Sequence, residues 1–200
     1  MGMALVALAV IVCGLGLLGL FAVGQYNTLV ALRNRYKNSF AQIDGRLKVR
    51  YDLIADLVGG AINYFEPDRE TVDAVISTRN SAYSMAAKAA ANPGHPPAIR
   101  GLIAAETRLR SALGRLLSMA EAHPGLDANP SLSRISAELT SLENKISFAS
   151  EAYNDAVMVY NVRREVFPAN LVAGIFGFAA AELFQIEAIP EEASSKVSLT

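Results

Sequence analysis

The chain opens on an uninterrupted apolar run. Met3 to Gly24 is 22 consecutive residues drawn from Ala, Val, Leu, Ile, Met, Phe, Cys and Gly, about 33 Å of helix at a rise of ~1.5 Å per residue. That length spans a hydrocarbon core, and Leu5, Val10, Leu15, Leu20 and Phe21 are expected in the membrane anchor. Beyond it the pattern turns periodic. Phe40, Ile43, Leu47, Tyr51, Ile54, Val58, Ala61 and Phe65 follow in steps of three or four, which is one face of a helix. No proline occurs before Pro67, so a single helix of roughly 90 Å is expected from Met3 to Phe65.

Glu66-Pro67-Asp68 ends that helix. Asp68, Glu70 and Asp73 then stand where acids favour the positive end of a second one, expected over 68–91. Asn92-Pro93-Gly94-His95-Pro96-Pro97 is a stop. Ile99, Leu102, Ile103, Leu109, Leu113, Leu116, Leu117 and Ala120 mark a third helix, closed by His123-Pro124-Gly125. The fourth has the cleanest period: Leu132, Ile135, Leu139, Leu142, Ile146, Ala149, Tyr153, Val157 and Tyr160. It should run to about Val166, where Phe167-Pro168 breaks it. No strand-like alternation appears, so the expected fold class is all-α. A single N-terminal transmembrane helix (1–25) should continue into an antiparallel four-helix bundle (26–166) with coiled-coil-like packing. An apolar C-terminal segment (167–190) and a flexible tail (191–200) complete the expected organisation.

Charge orients the anchor. After the span come Arg33, Arg35, Lys37, Arg46, Lys48 and Arg50, against Asp44 alone. Basic flanks stay cytoplasmic, so the N-terminus is expected outside and residues 25–200 inside. A cleaved signal is the rival reading, because Ala22-Val23-Gly24 offers small residues before Gln25. The missing basic n-region and the long apolar core oppose it. Arg33, Arg35 and Lys37 lie close enough to the bilayer, within a Debye length of about 8 Å, to be expected on lipid headgroups. The cations further along should pair with acids.

Composition removes several function classes. Net charge is −1 and no groove-reading motif accompanies the basic residues, so no nucleic acid partner is expected. One cysteine and two histidines cannot build a usual zinc or iron–sulfur site, and no cofactor or metal is expected. Asp52 and Asp56 share a helix face, but a di-iron bundle needs Glu-x-x-His on two helices, and that motif is missing. No enzyme activity is expected.

Three features stand out against this background. Arg50-Tyr51-Asp52 places Tyr51 on the apolar stripe with charges beside it, which suggests interhelical ion pairs around a packed ring; Asp44 lies one stretch earlier on the same helix. Tyr153-Asn154 and Tyr160-Asn161 repeat at a seven-residue interval, so both tyrosines join the stripe and both asparagines border it. These residues are expected to set bundle register or to contact a partner. Leu171 to Ala181 is eleven uncharged residues, too short to span a bilayer. Residues 171–184 can be core, lipid-facing or intersubunit, and Phe167, Pro168, Phe176, Gly177 and Phe178 are the expected C-terminal interface.

The chain resembles the LemA family. The likeness is carried by Tyr26-Asn27, Leu32-Arg33-Asn34, Phe40-Ala41-Gln42-Ile43-Asp44, Leu47-Lys48 and Arg50-Tyr51-Asp52-Leu53-Ile54. It resumes at Glu143-Asn144-Lys145-Ile146, Tyr153-Asn154-Asp155-Ala156-Val157, Tyr160-Asn161 and Phe167-Pro168-Ala169-Asn170-Leu171. Ala55-Asp56 stands where the family usually has Pro-Asn, His123 stands for a Tyr, and Ser150 for an Arg. The resemblance implies a bacterial membrane protein with one N-terminal span, a cytoplasmic helical bundle and no settled activity. Together with the residues it suggests a noncatalytic inner-membrane scaffold that self-associates as a homo-oligomer, with membrane lipid and other membrane proteins as partners. The alternative is a monomeric adaptor regulating a membrane protease or transporter.

Overall fold

In the computed structural model, which describes residues 2–61, 69–121 and 130–186, the span and the first bundle helix are one element, α1 (Gly2–Ala61). Its first part is long and apolar enough to cross a membrane, and its side chains there contact little protein; Leu5, Val10, Leu15, Leu20 and Phe21 are all exposed. From Leu29 on, one stripe is buried: Tyr36, Phe40, Ile43, Leu47, Tyr51, Ile54 and Val58. Helices α2 (Arg69–Ala91), α3 (Pro96–Glu121) and α4 (Pro130–Glu165) complete an antiparallel bundle. α1 packs along α4 and α2, and α2 along α3.

Local chemistry explains the boundaries. α2 presents Ala82, Ala86 and Ala89 to the core, small side chains that let its neighbour come close. The turn after it, Asn92 to His95, hands over to α3 through His95, whose carbonyl accepts from the N–H groups of Ala98 and Ile99 at 3.0 Å. Pro96, the first α3 residue, loses nothing by lacking an N–H there. Gly94 takes φ +83°, and a Cβ on it would lie 2.7 Å from Tyr36 Cε2. Phe65, Glu66–Asp68, His123–Gly125, the tail from 187, and the side chains of Ala61, Ala120 and Leu132 lie outside the described residues.

The four helices differ in reach. α2 and α3, with 23 and 26 residues, are about 35 and 39 Å long, whereas α4, with 36, is about 54 Å. The α2–α3 turn meets α1 at Tyr36, about 18 Å along the helix from Gly24. α4 continues down to Gln25, where Arg163 Nη2 donates to Gln25 Oε1 at 2.6 Å. Near the membrane, then, α1 and α4 lack a helical hairpin to cover them.

The C-terminal segment takes its place. After Phe167-Pro168 the chain forms a short helix, α5 (Ala169–Ile175), packed against α1 and α4. It ends in a Schellman motif: Gly177, at φ +67°, donates to Gly174 O at 3.4 Å and Phe178 to Ala173 O at 2.9 Å. An extended strap, residues 178–186, then runs back away from the membrane. Phe178, Ala181 and Phe184 are buried in the same core as the helices.

Candidate functional site

The two Tyr-Asn pairs on α4 address the strap. Asn161 Nδ2 donates to Ala181 O at 2.8 Å, and Ala181 N–H donates back to Asn161 Oδ1 at 3.0 Å. Seven residues earlier, Asn154 repeats this with Phe184, at 3.0 and 2.8 Å. Each tyrosine adds one bond: Tyr160 O–H to Ala179 O at 2.8 Å, and Tyr153 O–H to Glu182 O at 2.7 Å. From the other side, Glu182 N–H donates to Gly94 O at 2.9 Å, and Arg100 pairs with Glu182 at 2.9 Å. An extended segment has no partners of its own inside a bundle, and these contacts satisfy it.

The rings of the clamp also pack together. Tyr36 lies 5.1 Å from Tyr160 and 6.4 Å from Tyr153; Phe40 lies 5.5 Å from Tyr153 and 6.5 Å from Phe184. Burial, with Tyr160 adding to it and Arg33 opposing, pushes the Tyr36 phenol up to about 12. Tyr153 and Tyr160 are also raised, chiefly by burial. All three are therefore neutral hydroxyls at physiological pH.

A second cluster lies midway along the bundle. Arg50 and Glu106 are buried, 3% and 1% exposed, and form an ion pair between α1 and α3. Arg50 Nη1 also reaches Glu143 Oε1 on α4 at 2.8 Å, and Arg110 stands 3.7 Å from the other oxygen of Glu143. Tyr51 O–H donates to Glu106 Oε1, and burial raises its pKa. Arg79 Nε donates to Tyr51 O at 3.0 Å and lies 3.5 Å from Asp52. Two cations and two carboxylates thus tie α1, α3 and α4 at one level. Their arrangement is a structural tether, with each carboxylate already occupied by an arginine.

Sequence reading placed Arg50, Tyr51 and Asp52 here but missed Glu106 and Glu143 as their partners. Glu106 had a signal: it sits four after Leu102 and three before Leu109, an acid inside the apolar stripe of α3. Other expected residues go elsewhere. Asp44 pairs within its own helix with Lys48 at 2.7 Å, and Arg46 bonds Gln42 rather than an acid. Arg33 turns inward, its guanidinium 5.1 Å from the Phe178 ring centroid, while Arg35 and Lys37 are exposed. Of the C-terminal interface residues, Phe178 is buried, and Phe167 and Phe176 are exposed.

The LemA family model matches residues 39–199, a range that contains both clamps and the buried tether. The chain belongs to the LemA family. It is 33% identical over 86 residues to each of two proteins of Paramagnetospirillum magneticum (strain ATCC 700264 / AMB-1), Magnetosome protein MamQ 1 and Magnetosome protein MamQ 2, covering 43% of this chain and 32% of theirs. Magnetosome protein MamQ of Magnetospirillum gryphiswaldense (strain DSM 6361 / JCM 21280 / NBRC 15271 / MSR-1) is 29% identical over 85 residues, 42% of this chain and 31% of that protein. The matched part thus spans about a third of these relatives. With one helix among the described residues long and apolar enough to cross a membrane, this LemA-family chain is a membrane-associated protein.

Proposed function

We propose that this protein is a noncatalytic scaffold of the bacterial inner membrane that self-associates through its helical domain and displays the bundle to the cytoplasm, organising membrane or recruiting proteins. The observation that carries this reading is the outer face of α4. Phe148, Ala152, Asp155, Val159, Val162 and Val166 are all exposed and recur in steps of four and three, the spacing of a helix-pairing seam. Phe148 and Val162 are 72% and 60% exposed, unusual for large apolar side chains without a partner.

The seam borders an open groove of about 550 Å³ lined on α1 by Ala31, Asn34, Arg35, Asn38 and Gln42. Spans inserted in the same sense hold the α4 seams of two copies parallel and at one height, so they can mate in register. Asp155 is the one charge on the seam, and such a group restricts which registers are tolerated. Arg33, Arg35 and Lys37 on the bundle side of the span support this orientation.

The test is the mass of the full-length protein in nanodiscs or mild detergent by light scattering. A uniform multi-copy particle that falls to monomer on Phe148→Lys with Val162→Glu, helicity retained, supports the scaffold. A wild-type monomer across concentrations refutes it, and the monomeric adaptor then takes its place, to be pursued by crosslinking.

A further inference from the structure

We propose that α5 is a lipid-embedded foot: Phe167, Leu171, Ile175 and Phe176 insert into the headgroup–acyl boundary of the membrane that α1 crosses. This inference is independent of whether the protein self-associates.

The composition sets the problem. Residues 166–181 contain no charged side chain. The inner face of α5, Ala169, Val172 and Ala173, is buried in the bundle. Its outer face carries Asn170 but no charge, and the large apolar side chains on and beside it are open: Phe167 is 72%, Leu171 58%, Ile175 78% and Phe176 58% exposed. Leu171 and Ile175 stand four residues apart, one above the other on one side of α5, and Phe167 and Phe176 flank the helix at its two ends. Water is a poor neighbour for four contiguous large apolar groups.

Their height identifies the occupant. The Phe176 ring lies 4.9 Å from Tyr26, and the last turn of α4 is fastened to Gln25 by Arg163. Gln25 is the first polar residue after the apolar run that ends at Gly24. α4 descends to this level, the chain reverses through α5, and the strap climbs away again. The reversal is therefore the membrane-facing end of the bundle, and the exposed apolar face lies level with the end of the span at Gly24. Tyr26 stands in the boundary zone where aromatic residues with a polar tip are favoured. A surface at this height meets acyl chains in every copy of the protein, whatever its concentration. An interfacial apolar face is buried to a depth of about 5–10 Å.

The chain contains no tryptophan, so a single introduced one is an unambiguous reporter. Ile175→Trp and Phe167→Trp replace exposed side chains in the full-length protein. Phe148→Trp is the control, level with Gln42 and Arg46 and about 27 Å above Gly24 along α1. Each variant is reconstituted into phosphatidylcholine–phosphatidylglycerol vesicles with or without brominated acyl chains. The expected result is about twofold quenching with blue-shifted emission at 175 and 167, as befits immersion to ~5–10 Å, and no quenching at 148, whatever its emission wavelength. Emission at 175 and 167 no more quenched than at 148 overturns the proposal. Blue-shifted, unquenched emission that turns red on dilution into excess lipid also overturns it, and assigns the face to a second copy instead.

Discussion

Replacing Asn161 or Asn154 by Ala tests the strap directly. Each asparagine makes two hydrogen bonds to one strap residue, Ala181 or Phe184, at 2.8–3.0 Å. A net contribution of about 1 kcal/mol per bond, with extra cost for the buried peptide groups left unpaired, predicts a loss of about 2–3 kcal/mol per asparagine. The strap can escape part of that cost by peeling off. What then resists is the burial of Phe178 and Phe184, 6% and 1% exposed, at about 1.5–3 kcal/mol each. Against it stands an ordering cost of about 1–2 kcal/mol for each fixed residue. The strap is therefore held largely by its hydrogen bonds, and local release should dominate over global unfolding. Amide hydrogen exchange on the full-length protein in detergent reads this out. Protection of the Ala181 and Phe184 amides should fall about 30- to 150-fold, the equivalent of 2–3 kcal/mol, while the mid-helix amides of α1 and α4 change little. The double variant should lower protection further, because the bonds of the second asparagine are removed from the same opening equilibrium. Unchanged protection of both amides in both single variants would refute the clamp.

Other consequences are open to equally direct measurement. Glu106→Leu leaves the buried Arg50 charge with only the half-exposed Glu143 and should cost about 3–5 kcal/mol in denaturant titrations; adding Arg50→Met should recover much of it, and additive losses would disprove the pairing. Gly94→Ala should lower stability by about 1–3 kcal/mol, since φ is +83° and the new Cβ meets Tyr36 at 2.7 Å and Ala181 at 3.1 Å; an unchanged Tm would count against this packing. Alkali should unfold the bundle. Tyr36 is raised to about 12 from an ordinary value of about 10, so the folded state keeps a proton that the unfolded chain releases. Its contribution is complete below pH ~10 and is lost as pH rises through ~12. Tyr36→Phe should flatten that loss in a melt series from pH 9 to 12, and an unaltered slope would exclude Tyr36 as its source.

The periodic helices were readable because burial acts on them one face at a time. Leu139, Leu142, Ile146, Ala149, Tyr153, Val157 and Tyr160 follow the stripe and are buried as it predicts, and the bounds of α2 and α4 fall within about two residues of the expected ones. The strap was not readable in this way. The eleven uncharged residues Leu171–Ala181 that lead into it fit core, lipid and interface alike, and the structure divides them: Phe178 and Ala181 inward, Leu171, Ile175 and Phe176 outward. Periodicity could not make that division, because the chain leaves helical geometry at Gly177 and the spacing of buried residues changes with it. Glu106 was missed for a different reason. A stripe search counts apolar positions, and a carboxylate that replaces one of them registers as a gap until a buried arginine across the bundle explains it.

The seven-residue repeat of Tyr-Asn acquires a metric meaning once the strap is present. Seven residues of α4 rise about 10.5 Å, and three residues of extended chain advance about 10 Å. Asn161 holds Ala181 and Asn154 holds Phe184, three residues on; Tyr160 holds Ala179 and Tyr153 holds Glu182, again three on. Both spacings match, so helix and strap stay commensurate over the whole contact. Sliding the strap by one residue would keep neither side: the asparagines would face the wrong peptide groups, and Phe184 would leave its place beside Phe40 because the inward positions, Phe178, Ala181 and Phe184, recur only every third residue. The repeat thus links a helix to an extended segment rather than two helices to each other. A helix in the same place would have satisfied its own backbone and left Asn154 and Asn161 nothing to bind. The asparagines follow from covering the membrane end of α1 and α4 with an extended segment.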